Sequence, residues 1–87
     1  MPVVWIPALL RDLTGNRQSV AMSGTTIREV VDSLETAYPG IRERLCDGNG
    51  LRPGIAVAVG TELARRGLDQ KVDENSEVHF LPAISGG

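Results

Sequence analysis

Thr25-Thr26-Ile27-Arg28-Glu29-Val30-Val31-Asp32-Ser33-Leu34-Glu35-Thr36-Ala37-Tyr38-Pro39-Gly40 is the stretch on which the fold turns. Thr26 and Glu29 have the spacing of a capping box, in which hydroxyl and carboxylate reciprocally satisfy N–H groups that a helix start leaves unpaired. Ile27, Val30, Val31, Leu34 and Tyr38 recur at three- and four-residue spacing and form one apolar stripe, while Arg28, Glu29, Asp32 and Glu35 fall largely on the other side. Pro39-Gly40 then stops the run. A single amphipathic helix with one apolar stripe needs an apolar surface to lie on.

The flanking segments supply it. Val3-Val4-Trp5-Ile6 suits a pleated, half-buried strand and runs into Pro7, which cannot donate to a ladder. Thr14-Gly15-Asn16 has turn chemistry, and Gln18 to Met22 alternates polar with apolar as the second strand of a hairpin would. After the helix, Ile41 to Leu45 reads as a short second helical turn, and Cys46 to Gly50 as an exposed loop rich in Gly and Asx. Ile55 to Val59 is a third strand with branched residues on one face and alanines on the other, and Gly60 turns the chain. Residues 61–72 allow at most a short edge strand. Asp73-Glu74-Asn75-Ser76 makes the last turn, and Glu77 to Leu81 is the final strand.

These pieces compose an α+β roll, one main helix across one face of a mixed four- to five-stranded sheet. Val4, Ile6, Ile55, Val57, Val59, Val78 and Phe80 are expected to face the helix. Period two sends Val3, Trp5, Ala56, Ala58, His79 and Leu81 to the opposite face. With 87 residues, one core is expected. Size scaling gives about 5,000 Å² of folded surface against about 13,500 Å² unfolded, so roughly 63% would be buried.

Composition excludes several classes of function. Nine basic and eleven acidic residues give a formal charge of −2, unsuited to a general nucleic-acid binder working by phosphate neutralisation. Arg42/Arg44 and Arg65/Arg66 read as solvated faces with neighbouring acids. No apolar run approaches the roughly 20 residues a bilayer requires, nor does the start read as a signal peptide. A cytoplasmic location is the expectation. The one cysteine and one histidine provide neither an internal disulfide nor metal-ligand spacing, so no metal and no bound cofactor are expected. His79 reads as an ordinary strand residue or rim contact, and Cys46 as a loop thiol without a sequence-adjacent histidine.

The end of the chain is the feature left over. Pro82-Ala83-Ile84-Ser85-Gly86-Gly87 follows the last strand directly, which divides the chain into a domain over residues 1–81 and a flexible tail over 82–87. Six extended residues reach about 20 Å. Without Cβ atoms, Gly86 and Gly87 allow close backbone approach in a narrow channel.

The order of elements with this tail resembles the MoaD/ThiS family of ubiquitin-like β-grasp sulfur carriers over essentially the whole chain. The likeness rests on Trp5-Ile6-Pro7; on Gly24-Thr25-Thr26 leading into Val30-Val31-Asp32-Ser33-Leu34 and Tyr38-Pro39-Gly40-Ile41; on Gly67-Leu68 through Glu77-Val78; and most specifically on Leu81 to Gly87. Gly60, where many relatives have asparagine, and Asn75-Ser76, where a Gly-Asp pair is usual, depart from the pattern but remain turn formers. The resemblance implies a non-enzymatic carrier. An adenylating, ubiquitin-activating-enzyme-like partner would use ATP and Mg to activate the carboxylate of Gly87, and a sulfur donor would convert it to a thiocarboxylate. Pro82, Ala83, Ile84, Ser85 and Gly86 would enter the partner's active site, and Trp5, His79 and Leu81 would offer the partner surface. The stretch from Tyr38 to Leu45 and the tail look most like carriers feeding cysteine biosynthesis, with a cysteine synthase as acceptor; the molybdopterin-synthase small subunit, acting with its large subunit, is next. A modifier conjugated through Gly87 and a plain β-grasp binding module are the alternatives.

Overall fold

The computed structural model describes residues 1–82. The capping threonine does what its sequence position requires: the Thr26 hydroxyl accepts the Glu29 N–H at 3.2 Å. The return arm differs from the expected box. The Glu29 carboxylate reaches one residue further back, accepting the N–H and hydroxyl of Thr25 at 2.9 and 3.0 Å. At the helix end, the carboxylate of Glu35 accepts the N–H groups of Gly40 and Arg42 and so caps the turn that follows.

In chain order the elements are β1 (Val3–Trp5), β2 (Ser19–Ala21), α1 (Ile27–Ala37), α2 (Ile41–Leu45), β3 (Cys46–Asp47), β4 (Gly50–Leu51), β5 (Ile55–Val59), β6 (Glu62–Leu63) and β7 (Glu77–Pro82). Short 3-10 turns occupy Ala8–Leu10 and Gly67–Asp69. Five strands form one mixed sheet in the order β2-β1-β7-β5-β6. β1 and β7 are parallel, with Val4 opposite Val78 and Trp5 opposite His79. β2 and β5 flank them antiparallel. The parallel pair demands a long crossover, and α1 lies within it.

Ile27, Val30, Val31 and Leu34 of α1 are buried, as are Val4, Ile6, Val57, Val78 and Phe80 of the inner sheet face. Ile55 and Val59 pack partly buried at the margin of this cluster. Burying the four helix side chains is worth about 1.5 to 3 kcal/mol each, comparable in sum to the whole net stability of a small domain. The helix-facing set expected from the alternation is therefore the core.

Three further features depart from the sequence reading. Cys46 to Gly50 is not simply a loop: β3 and β4 pair as a hairpin, Cys46 with Leu51 and Asp47 with Gly50. Gly48, at φ 65°, takes the first central position of the two-residue turn, where a type II′ turn calls for glycine. Two residues per strand are too few to show alternation. Second, Leu10, Leu68 and Val72 join the core, Leu10 from a 3-10 turn whose adjacent Leu9 is exposed and the other two from segments where a single apolar residue among polar ones has no period to betray it. Third, β7 takes in Pro82, which pairs with Ile55, so the strand runs one residue past the expected boundary at 81.

Candidate functional site

β7 is the central strand, held by β1 on one side and β5 on the other. Its pairing with β1 covers Glu77 to His79, and its pairing with β5 continues to Pro82. The last described rung of the sheet is Pro82 opposite Ile55. Ala83, Ile84, Ser85, Gly86 and Gly87, expected to enter a partner's active site, lie outside the described residues; Pro82 is placed by its backbone pairing.

The outer sheet face carries the other candidates. Register aligns Ser19, Trp5, His79, Ala58 and Leu63 in one row across all five strands, and Ala56 beside Leu81 in the next. The Trp5 indole stacks on the His79 imidazole, ring centres 5.7 Å apart and planes 3° from parallel. The Nε2 of His79 lies 3.3 Å from Oε1 of Glu77. Trp5, Leu63 and Leu81 are 37%, 64% and 40% exposed, an apolar group on one side of the sheet. Ala58 shares this face but is buried, a small side chain between the larger His79 and Leu63. Leu63 escaped the sequence reading because a two-residue edge strand has no pattern; its rung opposite Ala58 is what places it here.

Cys46 sits in β3, half-buried; burial pushes its thiol up, opposed by the positive charges of Arg42 and Arg28. Those guanidiniums are engaged, Arg42 with Asp32 and Arg28 with Asp69. A thiol held protonated is a poor nucleophile. Among the described residues no three His, Cys, Asp or Glu side chains converge to hold a metal ion, and no helix is long and apolar enough to cross a membrane. Arg65 and Arg66 border a surface cleft together with Glu62 and Asp73, a mixed-charge face. What the arrangement can do is present: it offers a partly aromatic sheet surface beside the last described residues of the central strand.

Comparison with known proteins agrees with this geometry. The family model described as "ThiS family" matches residues 4–87. The sulfur carrier protein CysO of Mycobacterium tuberculosis is 38% identical over 89 residues, covering 97% of this chain and 96% of that protein. A chain in the crystal structure of the Amycolatopsis orientalis BexX/CysO complex superposes with a TM-score of 0.91 at 36% identity, covering 100% of both chains. The small archaeal modifier protein SAMP1 of Haloferax volcanii superposes with a TM-score of 0.72 at 27% identity, covering 99% of this chain and 98% of that one.

Proposed function

The chain belongs to the ThiS family, and on that basis we propose that it is a sulfur carrier whose reactive group is the carboxylate of Gly87. It is not an enzyme in this reading but the protein substrate of enzymes. The observation that carries the proposal is that the central strand of the sheet ends at Pro82, paired with Ile55, on a sheet whose outer face exposes Trp5, Leu63 and Leu81. A rigid globule there acts as a handle, and the segment beyond it as the probe.

The chemistry follows from the carboxylate. With a reference pKa of about 3.3 to 3.7 a terminal carboxylate is ionised near neutrality, and direct displacement at its carbon would expel a poor leaving group. Attack of a carboxylate oxygen on the α-phosphorus of ATP, with Mg at the adenylating partner, releases pyrophosphate and forms an acyl adenylate. A sulfur nucleophile then adds at the acyl carbon, AMP leaves with the bonding pair, and a thiocarboxylate remains. Docking the globule on an acceptor enzyme delivers that sulfur as an oriented, effectively intramolecular nucleophile. Gly86 and Gly87 place no Cβ beside the attacked carbon. The family likeness to CysO carriers supports cysteine biosynthesis as the pathway and a cysteine synthase as the acceptor.

Intact-mass analysis of the chain incubated with its organism's adenylating enzyme, ATP and sulfide tests this. The expected result is the gain from replacing one oxygen by sulfur, abolished when an extra residue follows Gly87. A capped chain that still gains the mass refutes the assignment. The likeness to SAMP1 supports a second reading, conjugation through Gly87 to lysines of other proteins. Larger adducts on an immunoblot that vanish with Gly87 would favour it.

A further inference from the structure

The positive charge of this chain is carried almost wholly by guanidinium groups: there are eight arginines and one lysine, Lys71. Lys71 stands at a surface cleft of about 470 Å³ by the turn from β5 into β6, with Arg65 and Arg66 beside it and Val59 and Leu63 in the wall. We propose that Lys71 is a modification site, acylated by the activated Gly87 of a second copy, so that copies of this chain join head to tail through isopeptide bonds. The assignment rests on the activation of Gly87 proposed above.

Four observations lead there. Forming an amide needs an amine that can lose its charge, which a guanidinium does not do, so Lys71 is the one side chain of this chain able to accept an acyl group on nitrogen. Its backbone is fixed: Lys71 bridges Thr26, the Ile27 N–H donates to the Gln70 carbonyl at 3.0 Å, and the Val72 N–H donates to the Thr25 carbonyl at 2.9 Å. Val72 is buried while Lys71 is exposed, so the amine is displayed from a stapled segment. The cleft also suits the chain end. Arg65 and Arg66 make no ion pair among the described residues, and with Lys71 they outnumber the two acids at the cleft, Glu62 and Asp73. Residues 83–87 carry no side-chain charge and one bulky apolar side chain, Ile84, which Val59 and Leu63 complement; the carboxylate or its adenylate is an anion for the guanidiniums. Finally, distance directs the reaction to a second copy. Pro82 pairs with Ile55, at the opposite end of β5 from Val59, and β6 lies beyond β5. Four residues of strand and two strand spacings separate Pro82 from the cleft by about 16 Å, nearly the whole reach of about 18 Å for five residues, which leaves no length in which to reverse direction. The step balances: the neutral Nζ amine adds to the acyl carbon, AMP leaves with the bonding pair, and the nitrogen gives its proton to water. Each product keeps one unused Gly87 and one unused Lys71, so growth is open-ended.

The test is incubation of the full chain with its organism's adenylating enzyme, ATP and Mg, without sulfide, read by intact mass and denaturing gels. A ladder is expected whose first member weighs two copies less one water, with the branch mapped to Lys71 by peptide mass spectrometry. Lys71→Arg keeps the charge and should reduce the ladder about tenfold or more, while the gain of sulfur at Gly87 is unchanged when sulfide is supplied. Arg65→Ser combined with Arg66→Ser should slow the ladder about fivefold although the amine remains. A ladder that survives Lys71→Arg, built then on the α-amine of Met1, overturns the assignment. So does a ladder indifferent to loss of the two arginines, or a monomer that loses one water by closing on its own lysine. A chain that gains sulfur but forms no adduct overturns the self-conjugation and leaves the carrier function standing; a chain that does neither overturns the activation of Gly87 as well.

Discussion

Replacing Gly24 by alanine should be among the most damaging single-methyl additions in this chain. A Cβ built there meets the backbone nitrogen of Val30 at 2.7 Å, its Cγ2 at 2.9 Å and the carbonyl carbon of Glu29 at 3.0 Å. The first turn of α1 cannot yield locally, since Thr26, Glu29 and Thr25 tie it down. Gly24 also has φ +155°, strained for an L-residue at a cost of about 1 to 3 kcal/mol, and overpacking adds about 1 to 3 kcal/mol. A domain of this size has roughly 4 to 13 kcal/mol to lose. With a urea slope of about 1.5 kcal/mol per M, the unfolding midpoint should fall by about 1 to 4 M. Gly15→Ala is the control: φ is +64° there, but nothing lies within 4 Å of the added atom. It should cost only the left-handed penalty of about 1 to 2 kcal/mol. If Gly24→Ala proves no worse than Gly15→Ala in matched urea titrations, close packing of this glycine on the helix start is not what seats α1.

Trp5→Asp removes an aromatic stack on a face already open to water. It should lower stability by only about 0.5 to 1.5 kcal/mol, keep the far-ultraviolet spectrum, and weaken partner binding by roughly tenfold in calorimetry; loss of the fold would show Trp5 to be structural. The Glu35 carboxylate is held below the usual glutamate range by the N–H groups of Arg42 and Gly40. A lowered folded-state value means that its stabilisation is complete above the unfolded-state value and is lost as pH falls through the folded one. Thermal melts of the native chain should therefore drop in acid over that window, and Glu35→Gln should flatten this part of the profile. Superimposable profiles for the two proteins would remove the cap at the α1–α2 junction from the account.

The carrier reading also explains why so little chemistry is needed in the globule. The sheet sets the direction in which β7 ends and the helix packs against it from behind; in the carrier reading the outer face is what meets a partner. Reactivity is supplied elsewhere, so the domain keeps a protonated thiol and a histidine used for stacking. The same division makes the globule and its terminal segment separately testable, as Trp5→Asp and the capped Gly87 exploit.

The amphipathic run from Ile27 to Leu34, its capping threonine and the alternation in Val3 to Ile6, Ile55 to Val59 and Glu77 to Leu81 determined the roll, the helix-facing core and the outer location of Trp5, His79 and Leu81. Each is a repeating local pattern, and burial follows period. The Gly-Gly end was legible as a motif for the same reason, being contiguous in the chain. Only the tertiary structure decided that Leu63 completes the row begun by Trp5 and His79, that Leu68 and Val72 are core, that Cys46 opens a hairpin, and that Leu9, Arg44 and Leu81 meet around one hollow. Leu63, Leu68, Val72 and Cys46 are isolated in polar or irregular segments, where no period marks them, whereas Leu81 is placed by its alternation and meets Leu9 and Arg44 only through the fold. Their roles come from contacts between elements far apart in sequence, which are fixed when α1 and α2 settle against the sheet rather than by any residue's immediate neighbours.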